Sequence, residues 1–213
     1  MTRVVVLLSG RGTNLEAIVA ARLPIELVAV ISNRPDAAGL EWARAQGLRA
    51  VALDHTHYSD RTYFDAALAD EIAAHTPDLV VLAGYMRILS PAFIARFEGR
   101  LLNIHPSLLP SFPGLNTHQR ALVEGVKIHG CTVHFVTAQL DHGPIVIQAA
   151  VPVRPEDTPE ILAARVLQQE HRIYPQAIRW FAEGRLLMGD DIKMRGCVNL
   201  SGIGASQSVF PDQ

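Results

Sequence analysis

Two runs of this chain, VVVLL (residues 4–8) and LVVLA (residues 79–83), are apolar without interruption. A strand with one wet face alternates apolar and polar residues, so an unbroken run needs cover on both faces. A parallel sheet with helices on either side meets that condition. Further short runs at 27–32, 49–53 and 101–105 read as companion strands, and segments of helical spacing at 15–21, 37–46 and 61–75 separate them. Such alternation predicts right-handed crossovers and an α/β, Rossmann-like, mostly parallel sheet with helices on both faces. After residue 126 the pattern changes. The runs 127–136 and 144–152 follow each other with no helix between them, which predicts antiparallel strands in the C-terminal part. A long helix over about 158–183 should follow, with Asp157 or Thr158 as N-cap, Pro159 in its first turn and a bend at Pro175. From Arg185 the signal fades, and Gly and Ser cluster at 201–208. The expected organisation is a single domain over 1–188 with a loosely attached tail over 189–213.

The 213 residues, 49% of them apolar, suffice for one substantial core. A formal net charge of -2 with scattered Lys and Arg offers nucleic acid no attraction, so no nucleic-acid partner is expected. No apolar stretch approaches the ~20 residues that span a bilayer. The opening MTRVVVLLSG lacks a small-residue cleavage site. Cys131 and Cys197 stand alone, with no metal-binding or disulfide spacing. The expectation is a cytoplasmic protein, off the membrane, without a metal, as a monomer or homodimer.

In sheets of this kind ligands bind beyond the carboxyl ends of the strands. The first such loop is SGRGTN, residues 9–14. Its glycines permit a tight turn, and the helix that follows offers unpaired N–H groups to an anion. A dinucleotide fingerprint would need a third glycine where Leu15 stands and an acid where the second strand ends in Ser32-Asn33. A single phosphate held by Gly12, Thr13 and Asn14 fits better than a pyrophosphate. A plain βα turn with a capping Asn or Thr is the alternative.

The strand LLNIH ends abruptly in the proline-rich loop PSLLPSFPG. Asn103 and His105, two apart, share a face there. An amide and an imidazolium N–H converging at a strand end suit an oxygen that gains negative charge. Asp141, just before a Gly-Pro turn, is the candidate carboxylate for the ring. No GxSxG elbow is present, so direct transfer between two bound substrates is favoured over a covalent enzyme step. The bland reading is a loop-bonding Asn and a satisfied histidine.

NIHPSLLPSFPGLNTHQRAL (103–122), with LAGYMRILSP (82–91), LDHGPIV (140–146) and SGRGTN, closely resembles the phosphoribosylglycinamide formyltransferases, folate-dependent enzymes of purine synthesis. The likeness runs from about residue 3 to 188. It implies transfer of a formyl group from the co-substrate 10-formyltetrahydrofolate to the glycinamide amine of phosphoribosylglycinamide, without a metal. By matching motif it implies Asn103, His105 and Asp141 as the catalytic trio. It places the acceptor's phosphate on Gly12, Thr13 and Asn14, and Glu170 near the acceptor amine. It assigns Arg61, Met86, Arg87, Ile88, Leu89 and Asn103 to the folate. Where many members carry glycine or alanine, this chain has His142.

Glu170 also falls on the helical stripe Leu162, Val166, Glu170, Ile173, Ala177, an otherwise apolar face. His134 reads as a satisfied sheet histidine, and His55, His57 and His75 as solvated. His118 could border the acceptor pocket. Rival readings are a methionyl-tRNA or amino-sugar formyltransferase, a deformylase using water, and a nucleotide-binding module without catalysis. Methionyl-tRNA formyltransferases and deformylases usually carry an extra domain for which this length leaves no room. The module leaves Asn103, His105 and Asp141 unexplained.

Overall fold

The structure, a computed structural model, describes residues 1–188 and 198–200. In chain order the elements are β1 (Thr2–Leu8), α1 (Thr13–Ala20), β2 (Ile25–Ser32), α2 (Ala38–Ala45), β3 (Ala50–Ala52), α3 (Arg61–Ala74), β4 (Leu79–Leu82) and α4 (Pro91–Arg96). They continue with β5 (Leu101–His105), α5 (Thr117–Val123), β6 (Ile128–Phe135), β7 (Ile145–Pro152), α6 (Pro159–Ala182), β8 (Leu186–Met188) and β9 (Val198–Leu200). A 3-10 turn at His55–His57 follows β3. Seven strands form one sheet in the order β3-β2-β1-β4-β5-β6-β7. Pairing is parallel from β3 through β5 and antiparallel between β6 and β7, so the expected mixed α/β architecture is present.

The chain divides into two compact units, Met1–Asn103 and Ile104–Gln213, with the boundary inside β5. In the first unit Val4 to Leu8 and the whole of β4 are buried. Leu15 and Ile18 of α1, Leu40 of α2, and Phe64, Leu68 and Ile72 of α3 are buried as well. At ~1.5–3 kcal/mol for each such side chain, these contacts dominate the unit's cohesion. The unbroken Val/Leu runs are thus explained by cover on both faces.

In the second unit β6 is buried from His129 onward, and α6 presents Leu162, Val166, Glu170, Ile173 and Ala177 as buried residues, the stripe expected from spacing. Of the two N-cap candidates, Thr158 takes the role, its Oγ1 accepting from the Ile161 N–H at 3.3 Å. Asp157 instead accepts from the Arg154 N–H at 2.8 Å and from both arms of the Arg165 guanidinium at 2.6 and 2.7 Å. α6 is one continuous helix through the buried Pro175. Hydrogen bonds from Arg165 hold the Asp157 carboxyl down to about 2, against an ordinary 3.8. Its folded-state pKa being depressed, the pair's contribution is fully present above about pH 4 and lost as pH falls towards 2. Asp157→Asn should therefore lower the melting temperature at pH 7, and the gap from the parent should close by pH 2.

The short α4 and α5, the 3-10 turn and the β8–β9 ribbon are additions to the sequence-based picture. α4 has a local signal, Ser90 as N-cap to Phe93 with Pro91 in the first turn. The tail expected over 189–213 falls largely outside the described residues. Its described part, Val198–Leu200, pairs antiparallel with β8.

Candidate active site

In the first unit β1 lies between β2 and β4, so the chain leaving β1 and the chain leaving β4 diverge to opposite sides, the arrangement that opens a crevice. A cavity of about 700 Å³ opens there, lined by Ser9 to Asn14, Asn33, Arg34, His55, Ala83, Gly84, Met86 and Arg87. Gly12 has φ +83, and a Cβ on it would meet the Gly39 Cα at 2.8 Å, so both the turn and the close approach of α2 require glycine. No side chain caps α1. Backbone N–H groups at such a helix start suit an anion.

Ser9 ties the cavity's walls together. Its Oγ donates to Asn33 Oδ1 at 2.6 Å and accepts from the Met86 N–H at 2.9 Å. The His55 ring nitrogen lies 2.8 Å from the Asn33 carbonyl, so His55 is part of the wall and not a solvated loop residue as expected. The Arg87 guanidinium stacks over Phe64 at 4.8 Å. Its Nε is buried and finds no hydrogen-bond partner among the described residues, a donor suited to a polar ligand. Gly12, Thr13, Asn14, Met86 and Arg87, predicted from two separate motifs, thus line one cavity. Ile88 is exposed, Leu89 is buried, and neither is among its lining residues. Arg61 is exposed in the first turn of α3, one turn before Phe64.

In the second unit His105 is 5% exposed, and its Nδ1 lies 3.5 Å from Asp141 Oδ2. The same carboxylate oxygen accepts the Gly114 N–H at 2.7 Å, which fixes it in place. Asp141 has φ +49, a left-handed conformation that Asp and Asn tolerate better than most residues. On the other side of the ring, Nε2 lies 3.0 Å from the Phe112 carbonyl. A carbonyl can only accept, so Nε2 carries a hydrogen and Nδ1 is the nitrogen left for chemistry. Asn103 stands two residues before His105 on β5 and is half-buried.

The loop after β5 is braced from beneath. Thr132 Oγ1 donates to the Ser107 carbonyl at 2.6 Å and accepts the Leu109 N–H at 3.0 Å. Gln148 donates to the Leu109 carbonyl at 2.9 Å. Thr132 and Gln148 escaped prediction because they reach loop backbone far away in the chain, and Gly114 and the Phe112 carbonyl because they act through backbone atoms. Glu170 is buried on α6, and burial together with its charge raises the Cys131 thiol far above its ordinary range. That leaves Cys131 an inert residue.

Other histidines sort themselves by packing. His75 is buried and pairs with Glu71 at 3.1 Å, contrary to the solvated reading, while His57 is exposed as expected. His134 is buried with Nδ1 2.9 Å from its neighbour's carbonyl, and burial lowers its pKa. His118 packs edge-on against His129 at 5.3 Å. Burial, reinforced by His118, lowers His129 to about 4.

A family model described as formyl transferase matches residues 2–178. The chain belongs to the formyl transferase family. It is 51% identical over 192 residues to the phosphoribosylglycinamide formyltransferase of Escherichia coli (strain K12), covering 88% of this chain and 91% of that one. It is 44% identical over 196 residues to the trifunctional purine biosynthetic protein adenosine-3 of Homo sapiens, of which the match spans 19%. Among solved structures it is similar to glycinamide ribonucleotide transformylase 1 from Symbiobacterium toebii, with a TM-score of 0.89, 53% identity and 94% of each chain covered. This formyl transferase is therefore a group-transfer enzyme. No helix among the described residues is long and apolar enough to cross a membrane.

Proposed function

We infer that the chain transfers the formyl group of 10-formyltetrahydrofolate to the amine of phosphoribosylglycinamide, as part of purine synthesis in the cytoplasm. The observation that carries this reading is the identity of about one half with phosphoribosylglycinamide formyltransferases over nearly their whole length. The match over residues 2–178 supports treating 1–188 as one functional formyltransferase domain.

The Gly12-Thr13-Asn14 turn would take the acceptor's phosphate on its backbone N–H groups, and Glu170 would attract the acceptor amine. The Met86–Leu89 segment, with Arg61 and Asn103, would take the folate. Orphaned Arg87 Nε and the exposed side chains of Met86 and Ile88 are consistent with a ligand there. When bound, the folate supplies the activated formyl carbon. Asn103 Nδ2–H and a charged His105 Nδ1–H would donate to the formyl oxygen as negative charge builds on it. Asp141 would attract that charged ring and help move the amine's proton, through water, to N10, which departs as tetrahydrofolate when the bond between N10 and the formyl carbon breaks. Each donor of this kind is worth ~2.7–4 kcal/mol of barrier, more than a surface hydrogen bond could supply.

The test is an absorbance assay for loss of a 10-formylfolate analogue with and without phosphoribosylglycinamide. Acceptor-dependent loss is the expected result, and acceptor-independent loss would make this a deformylase. Thr13→Asp sets a carboxylate against the acceptor's phosphate. It should raise the acceptor KM by about tenfold or more, the factor given by ~1.4 kcal/mol of repulsion. An unchanged acceptor KM would remove the phosphate from that turn.

A further inference from the structure

The loop between β5 and α5 contains a strained residue with no role in the mechanism above. Phe112 has φ +54, a region that a bulky side chain rarely adopts. Such strain persists only where the surroundings hold it. Here they do so through the ring. The Arg120 guanidinium carbon lies over the Phe112 ring at 5.6 Å, while its NH1 donates to the Pro113 carbonyl at 2.5 Å. From another side the buried His129 ring meets Phe112 edge-on at 5.8 Å. His129 is neutral at pH 7, so it packs there as an aromatic and not as a cation. What this clamp holds is the backbone carbonyl facing His105 Nε2, at 3.0 Å.

We propose that Phe112, gripped between Arg120 and His129, is a positioning residue that sets the tautomer and orientation of His105 by presenting its backbone carbonyl to Nε2. The proposal rests on the reading of His105 as the catalytic imidazole. Without a fixed acceptor at Nε2, the neutral ring would divide between two tautomers and rotate about χ2. Once protonated, the ring would then less often aim Nδ1–H at the formyl oxygen. Phe112 need not touch either substrate for this effect.

Glycine tolerates φ +54 and has no ring, so Phe112→Gly keeps the backbone conformation accessible while releasing the clamp. We expect kcat to fall by about 10- to 100-fold, in line with the cost of small misplacements near a reacting centre. The KM of each substrate should stay near that of the parent. The ¹⁵N resonances of the His105 ring should move from a single Nε2–H form towards a tautomer mixture. Phe112→Tyr, which keeps an aromatic face, should restore both rate and ring signature. Arg120→Ala, at an exposed position, gives an independent release and should shift both in the direction of the glycine variant. Parental kcat and ring resonances in Phe112→Gly and in Arg120→Ala would overturn the proposal, as would a kcat loss with unchanged ring resonances. Retained turnover in His105→Ala would instead remove the underlying reading of His105.

Discussion

His105→Ala should lower kcat by ~10²–10⁴, the range that a positioned proton-transfer or charge-stabilising side chain contributes. The fold should survive the change. The buried imidazole faces the Phe112 carbonyl through one nitrogen and the Asp141 carboxylate through the other. A cavity left by the ring would be polar and able to take water. The informative comparison is between kcat and the two KM values in the same assay. An interaction made only in the transition state lowers kcat and kcat/KM together, while lost ground-state binding appears in KM. A kcat within threefold of the parent would exclude His105 from the chemistry.

The second large effect is expected from Asp141→Asn. The residue keeps its left-handed φ of +49, since Asn tolerates that region as Asp does. Its amide oxygen can still accept the Gly114 N–H, so the loop stays closed. What disappears is the negative charge 3.5 Å from His105 Nδ1. With that charge gone from beside the ring, kcat should drop by ~10²-fold or more. Asp141→Ala would be less informative, because it would also release Gly114. A variant with the parental kcat would reduce Asp141 to a loop fastener.

Much of this was legible in the residues themselves. The Val4–Leu8 and Leu79–Leu82 strands announced two-sided burial, and the two-residue spacing of Asn103 and His105 announced a shared face. The stripe on α6 was readable because 3.6-residue periodicity survives in a buried helix. Other features left no trace. The Phe112 carbonyl, the Gly114 N–H and the Ser9 hydroxyl act across chain separations that no local pattern encodes. Burial of His75 escaped because its partner Glu71 sits one helical turn away, where an exposed pair would read the same. His55 escaped because its pairing with Asn33 depends on how β2 and the turn after β3 come together.

The contact between Gly12 and Gly39 has a consequence for selectivity. A Cβ on Gly39 would meet Leu8 at 2.9 Å and the Gly10 carbonyl at 3.1 Å, so α2 is seated against the turn like a backstop. The anion cradle cannot widen by retreating in that direction. It is preorganised, with its ordering cost met during folding and not on ligand capture. A second phosphoryl group on the acceptor would have to extend outward, away from this wall.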